Sequence, residues 1–170
     1  MKHHLRQRGF SLIELMIVVT IIGIISSIAI PNLLASRRAA FEGSSVASLR
    51  TLHSANAAYQ VTNGGGEYAA NLAALNSASL IDAQIASGTK SGFNFAITRT
   101  LSSSIALASF TVTANPTGTT GTLQTGTRRF GTTQVGVIYY DATQGATLGV
   151  VLTSAQMVGT GSGAIKVLGN

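Results

Sequence analysis

From Phe10 to Ser36 the chain is apolar almost without a break, 27 residues with one charge, Glu14. A helix over this run, at about 1.5 Å per residue, reaches about 40 Å, more than the roughly 30 Å of hydrocarbon in a bilayer. Gly23, Ser26, Ser27 and Pro31 interrupt it. Pro31 has no amide hydrogen and its ring crowds the carbonyl of Ser27, so a kink or local loosening is predicted between Gly23 and Pro31. Beyond Pro31 the pattern becomes amphipathic. Val46, Leu49, Leu52, Asn56 and Tyr59 recur at steps of three and four, with Arg38, Glu42 and Arg50 among the polar positions. No loop signal separates the two halves, so one helix is predicted from about Phe10 to about Val61. It should stop before Gly64-Gly65-Gly66, where glycine supplies left-handed conformations. Such a helix is roughly four times the average length, which requires a membrane or fibre around one half and a globular head against the other.

From Glu67 onward the pattern weakens. Asn71 is placed to cap a short helical turn through Leu72 and Leu75, followed by an irregular segment through Leu80, Ile81 and Ile85. Strand candidates come next: Phe93, Phe95 and Ile97 alternate with Asn94, Ala96 and Thr98; Ile105 to Thr113 carries Phe110 and Val112 on one parity; Val135 to Tyr140 is β-branched and aromatic. These predict three or four antiparallel strands. The runs Leu148–Leu152 and Ile165–Leu168 fit either an edge strand or anchored surface loops. Thr117–Thr127, with six Thr and three Gly, and Gly159–Gly163 read as exposed loops. The predicted fold class is α+β: a long N-terminal helix, hydrophobic in its first half, packed on a small antiparallel sheet head.

Composition narrows the chemistry. The 170 residues contain no cysteine, which excludes disulfides, thiolate metal sites and a thiol nucleophile. Charged residues are 9% of the chain, so the surface must be dominated by Ser, Thr, Asn, Gln and Gly, as suits an exported or assembled protein. The net charge of +6 includes Lys2, Arg6 and Arg8 ahead of the apolar run, and without these three it falls to +3. The other cations are scattered rather than interleaved with aromatics, a weak footprint for nucleic acid. Ser87-Gly-Thr-Lys90 matches a Ser-x-x-Lys pattern but stands in a glycine-flanked loop without accompanying motifs. His53 lies beside the Leu49/Leu52 stripe and reads as a helix histidine at the head interface. Glu42, Glu67, Asp82 and Asp141 are too dispersed for paired acid–base work or a calcium loop. Arg128-Arg129 reads as a solvated pair at a strand edge. No enzyme, cofactor or metal site is predicted.

Glu14 remains. An acid inside a membrane span costs roughly 2.5–3.5 kcal/mol on insertion scales and is assigned a function and a partner by default. The N-terminus fits a secretory signal cleaved near Ala29 or Ala35, although Pro31 and the early Glu14 weaken that reading. It also fits an uncleaved single-span anchor, whose orientation the flanking cations leave undecided.

A third reading comes from resemblance. Gly9-Phe10-Ser11-Leu12-Ile13-Glu14, then Leu15 to Ile30 and Pro31-Asn32, resembles the prepilin leader and N-terminal helix of type IV pilins and the pseudopilins of type II secretion. The match is close over about Arg8 to Ser36; beyond about residue 61 only the general plan of helix, loop and antiparallel sheet is shared. The resemblance implies a leader over 1–9, a transmembrane or filament-core helix over 10–36, its amphipathic continuation over 37–63, and a head over 64–170. It implies cleavage by prepilin peptidase between Gly9 and Phe10, methylation of the Phe10 amine, and a role for Glu14 in docking subunits. Gly23 and Pro31 match the stretch that loosens in assembled pili. The implied partners are identical subunits, the peptidase, an assembly platform with its ATPase, and inner-membrane lipid before export to the cell surface. The nine-residue leader points to the type IVa or pseudopilin side. The missing cysteine pair is a departure, since many pilins close a C-terminal loop with a disulfide. A major type IV pilin is the expectation. The alternatives are the major pseudopilin, whose relatives commonly carry an acid-lined calcium site near the C-terminus, and a minor adhesive or DNA-binding pilin.

Overall fold

The computed structural model describes residues 9–118, 120–141 and 165–168. It is an α+β protein of pilin-like architecture: a 51-residue N-terminal helix, α1 (Leu12–Thr62), precedes two short helices and an antiparallel sheet. The chain divides into two compact units, Met1–Ser36 and Arg37–Asn170.

In the first unit every large apolar side chain from Phe10 to Leu33 is exposed, between 44% for Val18 and 75% for Phe10. Patches of that size on a protein surface mark a membrane or a partner. The hydroxyls here are satisfied by the helix itself: Thr20 Oγ1 donates to Met16 O at 2.8 Å and Ser27 Oγ to Ile24 O at 2.7 Å. Such internal bonding suits a medium without water. The helix runs on through Gly23 and Pro31 and is long and apolar enough to cross a membrane.

In the second unit the predicted stripe is the buried one. Leu49 and Leu52 are fully buried, and Val46, Ala55 and Asn56 flank them. They share one core with Phe93, Phe95, Phe110, Val112 and Phe130 of the sheet. The helix ends at Thr62, and Gly65 (φ +58°) and Gly66 (φ +99°) turn the chain away. Asn71 caps α2 (Leu72–Ser77), its Oδ1 accepting from Ala74 N at 2.9 Å. The segment read as irregular holds one more turn, α3 (Ala83–Ala86). Asp82 caps it, accepting from Ile85 N at 2.6 Å.

The sheet has six strands among the described residues, not three or four: β1 (Thr89–Lys90), β2 (Phe93–Thr100), β3 (Ser109–Pro116), β4 (Arg129–Thr133), β5 (Ile138–Asp141) and β6 (Ile165–Val167), each paired with the next in chain order. The register lines up two rows: Phe95, Ala114, Phe130 and Tyr140 in one, Ile97, Val112, Thr132 and Ile138 in the other. These rows supply most of the sheet's share of the core.

Three strands went unseen or misjudged for identifiable reasons. β1 is two residues long, too short for alternation to register. β4 carries Gly131 between Phe130 and Thr132 and opens on an arginine, all weak strand signals. Ile165–Val167, left open on sequence, is an edge strand on β5. Val135 is not in a strand. Gly136 takes φ +81° and returns its amide to Thr133 O at 2.9 Å, turning β4 into β5. Ile105 likewise falls in the β2–β3 connection, not in a strand. The 117–127 loop is exposed at Thr120 to Leu123 but anchored at Gly126, where a Cβ would stand 2.6 Å from Phe93 Cζ. Leu148–Leu152 and Gly159–Gly163 lie outside the described residues.

Candidate functional site

Glu14 is the third residue of α1 and is exposed. Its position in the first turn places a carboxylate beside the amides that a helix N-terminus leaves without intrahelical partners. Among the described residues none forms a hydrogen bond or ion pair with it. Gly9 and Phe10 precede the helix as exposed coil. Gly23 and Pro31 stand further along the same helix.

The second carboxylate of the helix has the opposite environment. Glu42 is 5% exposed. One oxygen, Oε1, accepts from Thr127 N at 2.7 Å, Thr127 Oγ1 at 3.0 Å and Arg128 N at 3.3 Å. The other, Oε2, accepts from Arg128 Nε at 2.8 Å and pairs with its Nη2 at 2.7 Å. Burial pushes the Glu42 pKa up; the Thr127 amide, the Arg128 guanidinium and the Thr127 hydroxyl together outweigh it, so the net shift is downward. Arg128 also stacks over Phe130 and Tyr140, at 5.7 and 5.5 Å from the ring centres.

Arg128-Arg129 is therefore not a solvated pair on an edge. Arg128 binds the helix, and Arg129 opens an interior strand and forms an ion pair with Asp141, its register partner on β5. The Arg129 and Asp141 side chains are only 14% and 6% exposed. Charges so placed require partners, and each has one. The signal was available: Glu42 continues the Val46, Leu49, Leu52 stripe four residues upstream, and a carboxylate on a core stripe must be paired.

The remaining candidates are structural. His53 packs on Phe110 with ring centres 5.8 Å apart, its Nε2 lies 3.3 Å from Gln134 O, and its ring covers Gly136. It stands at the head interface, as its place beside the stripe implied. Asp82 caps α3 and pairs with Lys90 at 3.7 Å, and Glu67 accepts from Ser102 N at 3.1 Å. Among the described residues no three His, Asp or Glu side chains come together to hold a metal ion.

A helix whose exposed apolar first half carries one acid, unpaired among the described residues, and whose second half lies in the core of an antiparallel sheet defines the class as pilin-like. Comparison with known proteins agrees. The family described as "Prokaryotic N-terminal methylation motif" matches residues 4–30. Type II secretion system core protein G of Pectobacterium carotovorum subsp. carotovorum is 38% identical over 58 residues, 34% of this chain and 37% of that protein. The type IV major pilin protein PilA of Myxococcus xanthus is 44% identical over 54 residues, 32% of this chain and 24% of that protein. The type IV wide pilus major component PilA4 of Thermus thermophilus is 42% identical over 73 residues, 43% of this chain and 54% of that protein. The chain thus matches under half the length of the first of these relatives, and no solved structure matches. It carries the prepilin-type methylation motif and is related through it to type IV pilins and type II secretion pseudopilins.

Proposed function

We propose that this chain is the repeating subunit of a type IV pilus-like filament. Prepilin peptidase removes residues 1–9 and the Phe10 amine is methylated. The subunit waits in the inner membrane with residues 10–36 in lipid, and an assembly platform with its ATPase moves it into a fibre at the cell surface. There the N-terminal helices of neighbouring copies replace lipid. Lipid tails and Leu are equally apolar, so close packing rather than a hydrophobic gain holds the core, and Gly23, Ser26, Ser27 and Ala29 permit close approach. Gly23 and Pro31 are where the helix loosens on assembly. The observation that carries the reading is the exposed run of apolar side chains from Phe10 to Leu33 with Glu14 as its one charge. A carboxylate with no partner among the described residues meets the new Phe10 amine of the next subunit, neutralising two charges in a low-dielectric core and fixing axial register. Electron microscopy of cells with and without the gene tests it: fibres that vanish with the gene and return on complementation are expected, and their persistence refutes the proposal.

A second reading, the major pseudopilin of a type II secretion system, is favoured by the matches to core protein G. Against it, Asp141 is already paired with Arg129, and no Asp or Glu follows it in the chain to complete an acid-lined cation site near the C-terminus. Loss of protein export without loss of surface fibres on deleting the gene would select the pseudopilin.

A further inference from the structure

The end of the sheet that holds the Glu42–Arg128 contact also carries two arginines with no acid beside them. Arg37 and Arg38 directly follow Ser36, the last residue of the apolar run. At about 1.5 Å per residue their Cα atoms lie within about 3 Å of its end along α1. Arg37 is exposed and holds its guanidinium 5.1 Å from the centre of the Phe41 ring, one turn further into the head. Arg38 Nη1 donates to Gln124 Oε1 at 2.6 Å, which fixes the loop ahead of β4 beside this first turn of the head. Among the described residues each acid at this end has its cation: Glu42 has Arg128, Asp82 has Lys90 and Asp141 has Arg129. Arg37 and Arg38 have no acid partner there, so the end keeps two positive charges.

The loop that contains Gln124 is closed on itself and holds out one bare aliphatic side chain. Thr125 N donates to Gly118 O at 2.9 Å, Gly118 N donates to Thr125 Oγ1 at 3.1 Å, and Gly121 turns the chain at φ +72°. Next to Gln124, Leu123 is 80% exposed. The antiparallel order puts Leu101, Ile105, Leu107 and Val135 at the opposite end of the sheet. Among the described residues Leu123 is therefore the large apolar side chain exposed at the arginine end. A closed loop loses little entropy on binding, which suits it to a contact.

Unpaired cations beside a bare leucine, joined by covalent chain to a run long enough to cross a bilayer, fit a phospholipid surface. Guanidinium groups meet headgroup phosphates and the leucine enters the acyl boundary. Nucleic acid would engage the arginines but offers nothing to the leucine, and the described residues of the head include no exposed aromatic ring for a base to stack on. We propose that, while residues 10–36 lie in lipid, Arg37, Arg38 and Leu123 dock this end of the head on an anionic phospholipid surface. The inference rests on the reading that the subunit waits in the membrane. The contact holds the waiting head in one orientation and is given up when the apolar run leaves the bilayer.

The chain has no cysteine, so one engineered thiol takes one label. Full-length Thr122→Cys, labelled with a fluorophore beside Leu123, is reconstituted in vesicles of phosphatidylcholine, or of phosphatidylcholine and phosphatidylglycerol in equal parts. Each vesicle contains a trace of lipid with a nitroxide quencher on its headgroup. The label should be quenched in the anionic vesicles, less in the neutral ones, and less again as salt is raised. The same label on Val61→Cys, about 36 Å along α1 from Arg37, should stay bright in both. Arg37→Gln should shift the docked-to-free ratio read from the quenching by about fivefold, the factor for one cation at an anionic surface. Leu123→Ser should lower that ratio in both kinds of vesicle. Arg37 makes no hydrogen bond to the loop among the described residues, so the head should stay folded without it, as near-ultraviolet circular dichroism checks. A chain that alkaline carbonate strips from the vesicles sinks the membrane reading of residues 10–36 and the docking with it. A retained chain whose Thr122 label is quenched no more than the Val61 label, or equally in Arg37→Gln, overturns the docking alone. If the label answers to added double-stranded DNA and not to lipid, the arginines serve nucleic acid and the proposal fails.

Discussion

Replacing Glu42 by alanine removes the acceptor for two backbone amides, one hydroxyl and one guanidinium, at a position 5% exposed. Breaking a buried ion pair from one side costs about 3–5 kcal/mol. The Arg128 side chain is 38% exposed, so water reaches part of the stranded cation and the lower end applies, about 3 kcal/mol. Arg128→Ala should cost less, about 1–2 kcal/mol, because Glu42 keeps three uncharged donors from Thr127 and the residue 128 amide. The double variant should be little worse than Glu42→Ala alone, since the two substitutions remove one interaction. Thermal unfolding of the detergent-solubilised full chain, followed by near-ultraviolet circular dichroism, is the assay. That signal reports packing around the tyrosines and phenylalanines of the head and ignores helix retained in detergent. A drop of about 10 °C is expected for Glu42→Ala. The folded-state pKa lies below the ordinary 4.5, so the stabilisation is complete above that value and is lost as pH falls through the folded-state pKa. Glu42→Ala should flatten that acid limb. A loss below about 1 kcal/mol, or an Arg128→Ala variant less stable than Glu42→Ala, would refute the assignment of Glu42 as the principal anchor of this loop.

The mature chain should begin at Phe10 with one methyl group on its amine, read by intact mass and N-terminal sequencing; a start near Ile30 or Ser36 would restore an ordinary signal peptide. Glu14→Ala and Glu14→Gln should leave cleavage and head stability intact while fibre yield collapses, and Glu14→Val should behave alike although it suits lipid better; abundant normal fibres from any of the three would remove the carboxylate from assembly. Asn56, fully buried, donates to Leu52 O at 3.0 Å while its Oδ1 has no partner among the described residues. Asn56→Leu should therefore stabilise the head by about 1 kcal/mol in the same unfolding assay, and a destabilised variant would mean the oxygen is satisfied.

The parts of this protein legible in its sequence are those written as period. The α1 stripe, its glycine stop and the Asn71 cap all lie in local spacing, and the structure reproduces them within two residues. The sheet was half legible: β2 alternates cleanly, whereas β4 combines Arg129, Gly131 and two threonines and acquires strand character only from the neighbours it pairs with. Of the ion pairing, the need for a partner at Glu42 was legible in its place on the stripe, but the partners themselves were not. Glu42 and Arg128 are 86 positions apart, and nothing local to Arg128-Arg129 separates a solvated pair from two cations each committed to a different buried acid.

That pairing bears on the function. Helix α1 contains two glutamates, Glu14 in the apolar run and Glu42 buried at the edge of the core, each costly to leave bare in a dry environment. The head resolves the cost at Glu42 within one chain, through donors brought from the loop ahead of β4. At Glu14 no described residue supplies a donor, and the surrounding fifteen large side chains from Phe10 to Leu33 are themselves uncovered. If α1 only anchored the head, Glu14 would be a penalty in lipid with no return, up to roughly 2.5–3.5 kcal/mol at the middle of a span and less near its end. Under the proposed assembly the same residue would meet the Phe10 amine of a neighbouring chain. At about 4 Å and an effective dielectric near 20 that attraction is on the order of 4 kcal/mol before desolvation is subtracted. The sum is enough to select one register among many and too little to hold the fibre by itself. Cohesion must then come from helix packing. One comparison can refute this: loss of Glu14 should abolish ordered assembly while the head stays folded, whereas loss of Glu42 should lower head stability and leave the register of assembled fibres unchanged.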